Sequence, residues 1–514
     1  MDKSSFHPRT NNNLVQTKLK HVVFVTGFGW THIRPNLHFC IRLAAKFPTV
    51  YISIYTPGTF ASQIDEYLAT YPKLALERIL IVASVVDNTV KGPLDLMYAV
   101  ERNFGPWIAD QITSPNLADK RHLVEPPSYI IEDHVNGGIA VANKKFHELP
   151  IVGWYAATAA GLLGHYGNTE HGKGWRYVRA VCAAVAKKDP RGERPLEEVF
   201  AEELIPNRLI CPPGLPPHYE HEQMPQFQPD MLPATVHMHE RYTTMLENVV
   251  GMIYSSVYEI EPIAAIASTK GFSKPLTSWF TGLSIDIPPL IPFDIDRATS
   301  DPVMSFMNRA YIDLGQHSVI YIAFGSYCFP ARESIPHLKI LIKEVLAQSF
   351  RLIFSAQDRN LKASGFDREY IAKLTATGQA IVPEWTNQLA VLEHPAIHYF
   401  VSHGGWNSVS EAIADQPNNT MQMSRQLDCG FELLQIRTGA ARTVVYGSAG
   451  DISIIGSDEA VQEEVRNVLE MTKGPRGAQQ RLSVKVLGKV VAESVEDEGS
   501  ADVALRKLGA FLGL

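Results

Sequence analysis

The run FVSHGGWNSVSEA at 400–412 combines a strand ending, a glycine turn and a polar helix start in the order that suits a phosphate. Apolar Tyr399, Phe400 and Val401 read as the end of a buried strand, and Gly404 and Gly405 let the backbone turn tightly and approach a ligand. A helix that begins there presents unpaired N–H groups and the positive end of its dipole, and Asn407 and Ser408 can add side-chain hydrogen bonds to phosphate oxygens. Glu411, four residues beyond Asn407, shares its face and suits ribose hydroxyls better than phosphate. A bound nucleotide is the chemistry this pattern suggests first. An ordinary strand-to-helix connection is the competing reading, and a His-Gly-Gly turn alone does not choose between them.

A second set of residues can move a proton. His32, in GWTHIRP, follows the apolar run HVVFVT and can project from the edge of a sheet, and imidazole is the side chain suited to taking a proton near neutral pH. Asp133 follows YIIE at the end of another strand, where a carboxylate could fix the tautomer of His32 and stabilise its protonated form. Strand alternation puts neighbouring Glu132 on the other side. A helix cap or surface position for His32 and an N-cap for Asp133 are the competing readings.

The elements that must carry these groups are legible as an α/β pattern. His21–Thr26 reads as a buried parallel strand, followed by a turn at Gly27 and Gly29 and a helix beginning near Pro35, and 50–55, 79–82 and 129–131 read as further strands alternating with helical stretches. The chain turns proline-rich around 206–234, with PPGLPP at 212–217, and again at Pro288, Pro289 and Pro292. The pattern restarts with SVIYIAFGS at 318–326, a strand running into a glycine turn. These landmarks divide the chain into a tail (1–20), a first α/β half (21–263), a linker (264–300), a second α/β half (301–490) and a C-terminal segment (491–514). A ligand belongs in the cleft between two such halves, at the carboxyl ends of their strands.

Upstream of the glycine turn stand Trp385, Gln388 and His394, and downstream Pro417 and Gln426. The run WTNQLAVLEHPAIHYFVSHGGWNSVSEAIADQP and the later SRQ resemble the nucleotide-sugar signature of the UDP-glycosyltransferases of plant secondary metabolism. The resemblance extends from about His21 to the closing GSADVALRKLGAFLGL, and is sharpest at the N-terminal turn, PGLPP, SVIYIAFGS and the nucleotide signature. It implies a GT-B fold, two Rossmann-like domains facing each other across a cleft, with the last helix packed back on the first domain. It implies His32 as the catalytic base of an inverting transfer and Asp133 as its orienter. Trp385 would stack on the uracil, where a core tryptophan is the plain alternative. Gln388 and Glu411 would contact the ribose, and His403, Asn407 and Ser408 the phosphates. Gly405 would belong to the turn, Trp406 would meet the sugar through its backbone, and Ser326 would face the diphosphate. Gln426 would bind the sugar.

One departure matters. The acidic residue that the resembled pattern carries before Gln426 is here Arg425. Asp428 could substitute in another register, Arg425 could be a solvated surface charge, and the transferred sugar is left open between a hexose and a pentose.

The remaining features bound the function. A chain of 514 residues with 45% hydrophobic content needs more than one core. A net charge of −7 without blocks of one sign gives no footprint for nucleic acid. Five scattered cysteines, without a C-x-x-C pair, argue for a reducing compartment and against a disulfide framework. The first twenty residues lack the apolar core of a signal peptide, and no run approaches the ~18–20 apolar residues of a membrane span. The expected protein is cytoplasmic, takes a UDP-sugar as co-substrate and a small lipophilic hydroxylated metabolite as acceptor, and needs no cofactor or metal. A nucleotide-sugar-binding protein without transferase activity is the alternative from another class, and a UDP-sugar epimerase on the same fold a third. The acceptor pocket is expected from 89–110 and 154–180, where Tyr98, Phe104, Trp107 and Tyr155 line it or fill the core.

Overall fold

The structure, a computed structural model, describes residues 18–84, 90, 92–114, 122–142, 144–168, 207–223, 232–285, 294–295, 299–325, 329–403, 406, 420–437 and 444–514. Its first half is built on strands β1 (Leu19–Val25), β2 (Val50–Pro57), β3 (Ile79–Ser84), β4 (Val124–Asp133) and β5 (Ile151–Tyr155). After a short antiparallel pair, β6 (Leu209–Ile210) and β7 (His218–Tyr219), the sheet is completed by β8 (Gly251–Tyr254) and β9 (Thr277–Phe280). All seven sheet strands run parallel, in the order β3-β2-β1-β4-β5-β8-β9. The second half has β10 (Val319–Ala323), β11 (Arg351–Ser355), β12 (Ala380–Ile381) and β13 (Ile397–Ser402), also parallel, in the order β12-β11-β10-β13.

Both sheets therefore repeat one arrangement, in which the first strand lies between the second and the fourth. Strands such as VVFV and VIYIA form its centre because a parallel sheet is covered on both faces, so a continuous apolar run is buried whichever way each side chain points. The connection reverses direction on the two sides of β1 and of β10. The carboxyl ends of β1 and β4, and of β10 and β13, thus flank the two topological switch points where open α/β sheets leave a crevice.

Several boundaries differ from the sequence reading. The first sheet begins at Leu19, inside the expected tail, because Lys20 already pairs with Val50. It extends beyond 263, because β9 pairs with β8 and the helix Pro262–Ser268 connects them. A four-residue strand flanked by a proline and a glycine carries too little pattern to be distinguished from a linker. The helix after β1 begins at Trp30, with Pro35 inside it, rather than near Pro35. The proline forfeits one backbone bond there, and burial of Ile33, Leu37 and Phe39 outweighs the loss. The closing helix is Ser500–Leu512, and 491 falls in the preceding helix, Pro475–Val495. Leu505, Leu508 and Leu512 pack with Phe24, Ile52 and Trp279 of the first half. Leu487 and Val491 join an apolar cluster with Val257, Ile260, Leu283, Trp406 and Met423 that draws on both halves.

Candidate active site

At the first switch point the sequence pair meets. His32 occupies the first turn of the helix after β1, and Asp133 is the last residue of β4. The His32 Nδ1 lies 3.1 Å from each oxygen of Asp133, which is fully buried, while the imidazole keeps 24% of its side-chain surface open. Asp133 also accepts from the Val135 backbone N–H at 3.2 Å as cap of a short 3-10 turn, so the capping role and the pairing role hold together. Burial disfavours protonated His32, but the Asp133 charge and hydrogen bond outweigh it and hold its pKa above the usual histidine value. Burial likewise opposes the Asp133 charge, and His32, His134 and the Val135 N–H bring its pKa below the usual aspartate value. With Nδ1 committed to the carboxylate, Nε2 is the nitrogen that can take a proton from a ligand.

The turn that presents His32 is built to tolerance. A Cβ on Gly27 would lie 2.5 Å from the His32 Cβ, so only glycine lets the histidine sit there. The Gly27 N–H donates to the buried Asn36 side chain at 3.3 Å, and the buried Asn136 amide donates to the Thr26 carbonyl. Asn36 comes from the His32 helix and fixes it to the end of β1, and Asn136, from the turn after Asp133, ties the carboxyl ends of β1 and β4 together. Neither residue is singled out by the sequence pattern, although Asn136 opens an Asn-Gly-Gly turn signal three residues after Asp133.

His134 is the other omission. Its Nδ1 is 3.3 Å from Asp133 Oδ1, its ring centroid is 5.2 Å from that of His32, and it packs against Tyr155 at 4.6 Å and Tyr242 at 5.0 Å. Burial depresses its pKa to about 4, so it is neutral at physiological pH. His32, Asp133 and His134 are, among the described residues, the group whose ligand-type atoms come within 4.8 Å of one another. Glu132 points to the other face as alternation requires. It is fully buried with neither oxygen partnered among the described residues, and burial, Glu101 and Asp133 raise its pKa well above the usual value.

At the second switch point His403 follows β13 and Gly325 follows β10, with Gly325 at φ +73°. His403 has its Nδ1 buried without a partner among the described residues, and burial lowers its pKa to about 4. A neutral imidazole can still donate one N–H to a phosphate oxygen. Trp385 is 65% exposed, so it is not a core tryptophan and its ring face is open to a flat ligand. Gln388 begins a short helix and accepts from the Tyr321 hydroxyl at 3.2 Å, and that hydroxyl lies 2.7 Å from Thr386 Oγ1. Tyr321, a polar atom in an otherwise apolar strand, is a supporting residue that the pattern SVIYIAFGS already contained. Trp406 is buried in the cluster shared by the halves and donates from Nε1 to the Ser255 carbonyl at 2.7 Å. Gln426 is exposed at the end of a π-helical turn, Gln422–Gln426. Ser326, Gly405, Asn407, Ser408 and Glu411 lie outside the described residues.

The expected acceptor-lining residues divide. Phe104 and Tyr155 belong to the core, Trp107 packs on it, and Tyr98 is exposed beneath the Arg241 guanidinium. Asp428 does not supply a free acid, since both its oxygens meet Arg476 at 2.7 Å. Arg425 is not a solvated surface charge either, because it pairs with Glu222 and Glu432. Among the described residues, Cys40, Cys211 and Cys429 are free thiols, and no helix is long and apolar enough to cross a membrane.

Two parallel Rossmann-like sheets with a histidine at each switch point define a GT-B fold. Solved structures agree over nearly the whole chain. A UDP-glucosyltransferase from Polygonum tinctorium matches with a TM-score of 0.63 at 17% identity, covering 96% of this chain and 99% of that one. Medicago truncatula UGT71G1, solved with UDP-glucose, matches with a TM-score of 0.65 at 16% identity, covering 96% and 98%. The family model for UDP-glucoronosyl and UDP-glucosyl transferase matches residues 288–417. Among curated proteins, UDP-glycosyltransferase eriJ of Hericium erinaceus is 24% identical over 88% of this chain and 90% of its own length. UDP-glycosyltransferase 90A2 of Arabidopsis thaliana is 22% identical over 49% of this chain, and the match spans 50% of that relative's length. Residues 288–417 thus carry the UDP-glucoronosyl and UDP-glucosyl transferase pattern, and the relatives and solved structures that the chain resembles are UDP-glycosyltransferases.

Proposed function

We propose that the protein is an inverting UDP-sugar-dependent glycosyltransferase that O-glycosylates a small lipophilic metabolite in the cytoplasm, as part of secondary metabolism. The observation that carries this reading is the pairing of His32 Nδ1 with buried Asp133 at the switch point of the first half. His32 Nε2 takes the proton of an acceptor hydroxyl as its oxygen bonds to the anomeric carbon of the sugar. The bond from that carbon to the β-phosphate oxygen breaks, and UDP leaves with the electron pair. Asp133 stabilises the imidazolium so formed. Trp385, Gln388, His403, Trp406 and Gln426, with Ser326, Gly405, Asn407, Ser408 and Glu411, hold the donor, and neutral His403 gives its N–H to a phosphate oxygen.

The reading is supported by the family and by the UDP-glucose bound in the Medicago truncatula structure. Among relatives, the Fragaria ananassa flavonoid 3-O-glucosyltransferase 6 and the Solanum aculeatissimum nuatigenin 3-beta-glucosyltransferase act on lipophilic hydroxylated compounds by name. The test is UDP release from UDP-sugars with and without a panel of phenolic and sterol acceptors. Release should require an acceptor, and His32→Ala should lower it about 10²–10⁴-fold while UDP affinity stays unchanged. Sugar nucleotide consumed equally without acceptor, or full turnover in the variant, would reject the assignment.

A further inference from the structure

Arg425 and Glu222 connect the two halves at the turn that carries Gln426. Glu222 belongs to the first half, in the single turn Glu220–Gln223 that follows β7, and it is only 1% exposed. Its Oε1 accepts from the backbone N–H of Tyr219 and of Tyr446, each at 2.9 Å, and its Oε2 accepts from Arg425 Nη2 at 2.8 Å. Arg425 also donates through Nε and Nη2 to Glu432, at 2.7 and 2.8 Å, and Arg437 reaches the same carboxylate at 3.0 Å. Two carboxylates balance two guanidiniums, and one of the carboxylates comes from the other half. Three residues before Arg425, the buried Gln422 donates from Nε2 to the Ile260 carbonyl at 3.3 Å. The π-helical turn Gln422–Gln426 is thus tied to the first half at two points, while Gln426 itself stays exposed.

A π-turn is a strained, sparsely used geometry that holds only where its surroundings fix it. Here two of the fixing groups, the Glu222 carboxylate and the Ile260 carbonyl, come from the first half. A guanidinium already matched by two carboxylates has little charge left for a ligand. We infer that Glu222 and Arg425 form a strut by which the approach of the two halves sets the position of Gln426 against the donor sugar, so that both are positioning residues rather than sugar contacts. This rests on the reading of Gln426 as a donor contact.

Arg425 Nη1, buried without a partner among the described residues, offers the competing role of a direct hydrogen bond to the sugar. Calorimetric binding of UDP, UDP-glucose and UDP-glucuronate to the wild type, Glu222→Gln, Arg425→Gln and the double variant separates the two. The strut requires that each single variant weaken UDP-glucose about tenfold and UDP less than about threefold, with the double variant no weaker than either. A selective loss of UDP-glucuronate in Arg425→Gln with Glu222→Gln silent would overturn it, placing Arg425 on the sugar. A lower melting temperature in Glu222→Gln with the UDP-glucose to UDP affinity ratio unchanged would overturn it too, leaving a purely structural contact. Glu222→Asp, which keeps the charge but shortens the reach, should show the same selectivity in milder form and serves if the Gln variant does not fold. Wild-type protein that binds none of the three ligands fails the donor-site reading itself.

Discussion

The ring of His403 lies so close to Gly325 that a Cβ there would sit 2.9 Å from its Cε1. The same device operates at the other switch point, where Gly27 stands against His32. In each half a glycine after the central first strand makes room for the histidine at the switch point. The two sheets therefore repeat a local solution as well as a strand order.

Gly325→Ala should expose this arrangement. The left-handed φ of +73° costs an L-residue about 1–2 kcal/mol, and the added methyl must displace His403. Denaturant unfolding should show that loss of stability, and calorimetry should show weaker UDP binding. Unchanged UDP affinity would mean that His403 does not touch the diphosphate.

With His32 as the proposed base, Asp133 should set the acid limb of the rate profile. A base must be neutral to act, so the rate rises with pH through the His32 pKa, which Asp133 holds above 6.5. Asp133→Asn removes the charge but keeps the shape. The limb should move to lower pH while the plateau rate falls, because the imidazolium loses its counter-charge. A limb that stays in place would assign the titration to another group.

The sequence disclosed these histidines and their strands because burial and chemistry both leave local marks. Continuous apolar runs located β1, β4, β10 and β13, and Trp385 and His403 stood in a dense motif. What it did not disclose is contact across the fold. Asn36, Asn136 and His134 matter through partners in other elements, and nothing in their neighbourhood distinguishes them from turn or helix residues. Arg425 looked like a lost acid until Glu222, 203 residues away, supplied its partner. β9 was missed for a different reason, since a four-residue edge strand has no period to read.

His32, Asp133 and His134 offer ligand types that zinc accepts, yet the proposed chemistry uses His32 as a base and needs no cation. Dialysis against EDTA should leave turnover unchanged. Activity lost on chelation and restored by Zn²⁺ would transfer the role of His32 from proton acceptor to metal ligand, and would require the mechanism to be rewritten.

Stability should decline in acid through buried histidines, and His398 is the clearest case. It stacks on Phe350 with ring centroids 4.7 Å apart, its Nε2 is 2.8 Å from Thr472 Oγ1, and burial pushes its pKa down to about 3. The unfolded chain takes up a proton as pH falls below 6.5, whereas the native state does not until about 3, so the neutral histidine supports folding above 6.5 and that support is lost between the two. From pH 7 to pH 5 the loss amounts to about 2 kcal/mol. His398→Phe keeps the ring and removes the titration, so its unfolding free energy should fall by about that much less over the same interval. An identical pH dependence in variant and wild type would show that His398 takes up its proton over the same pH range in the native state as in the unfolded chain, with Thr472 and the surrounding aromatic rings accommodating the charge.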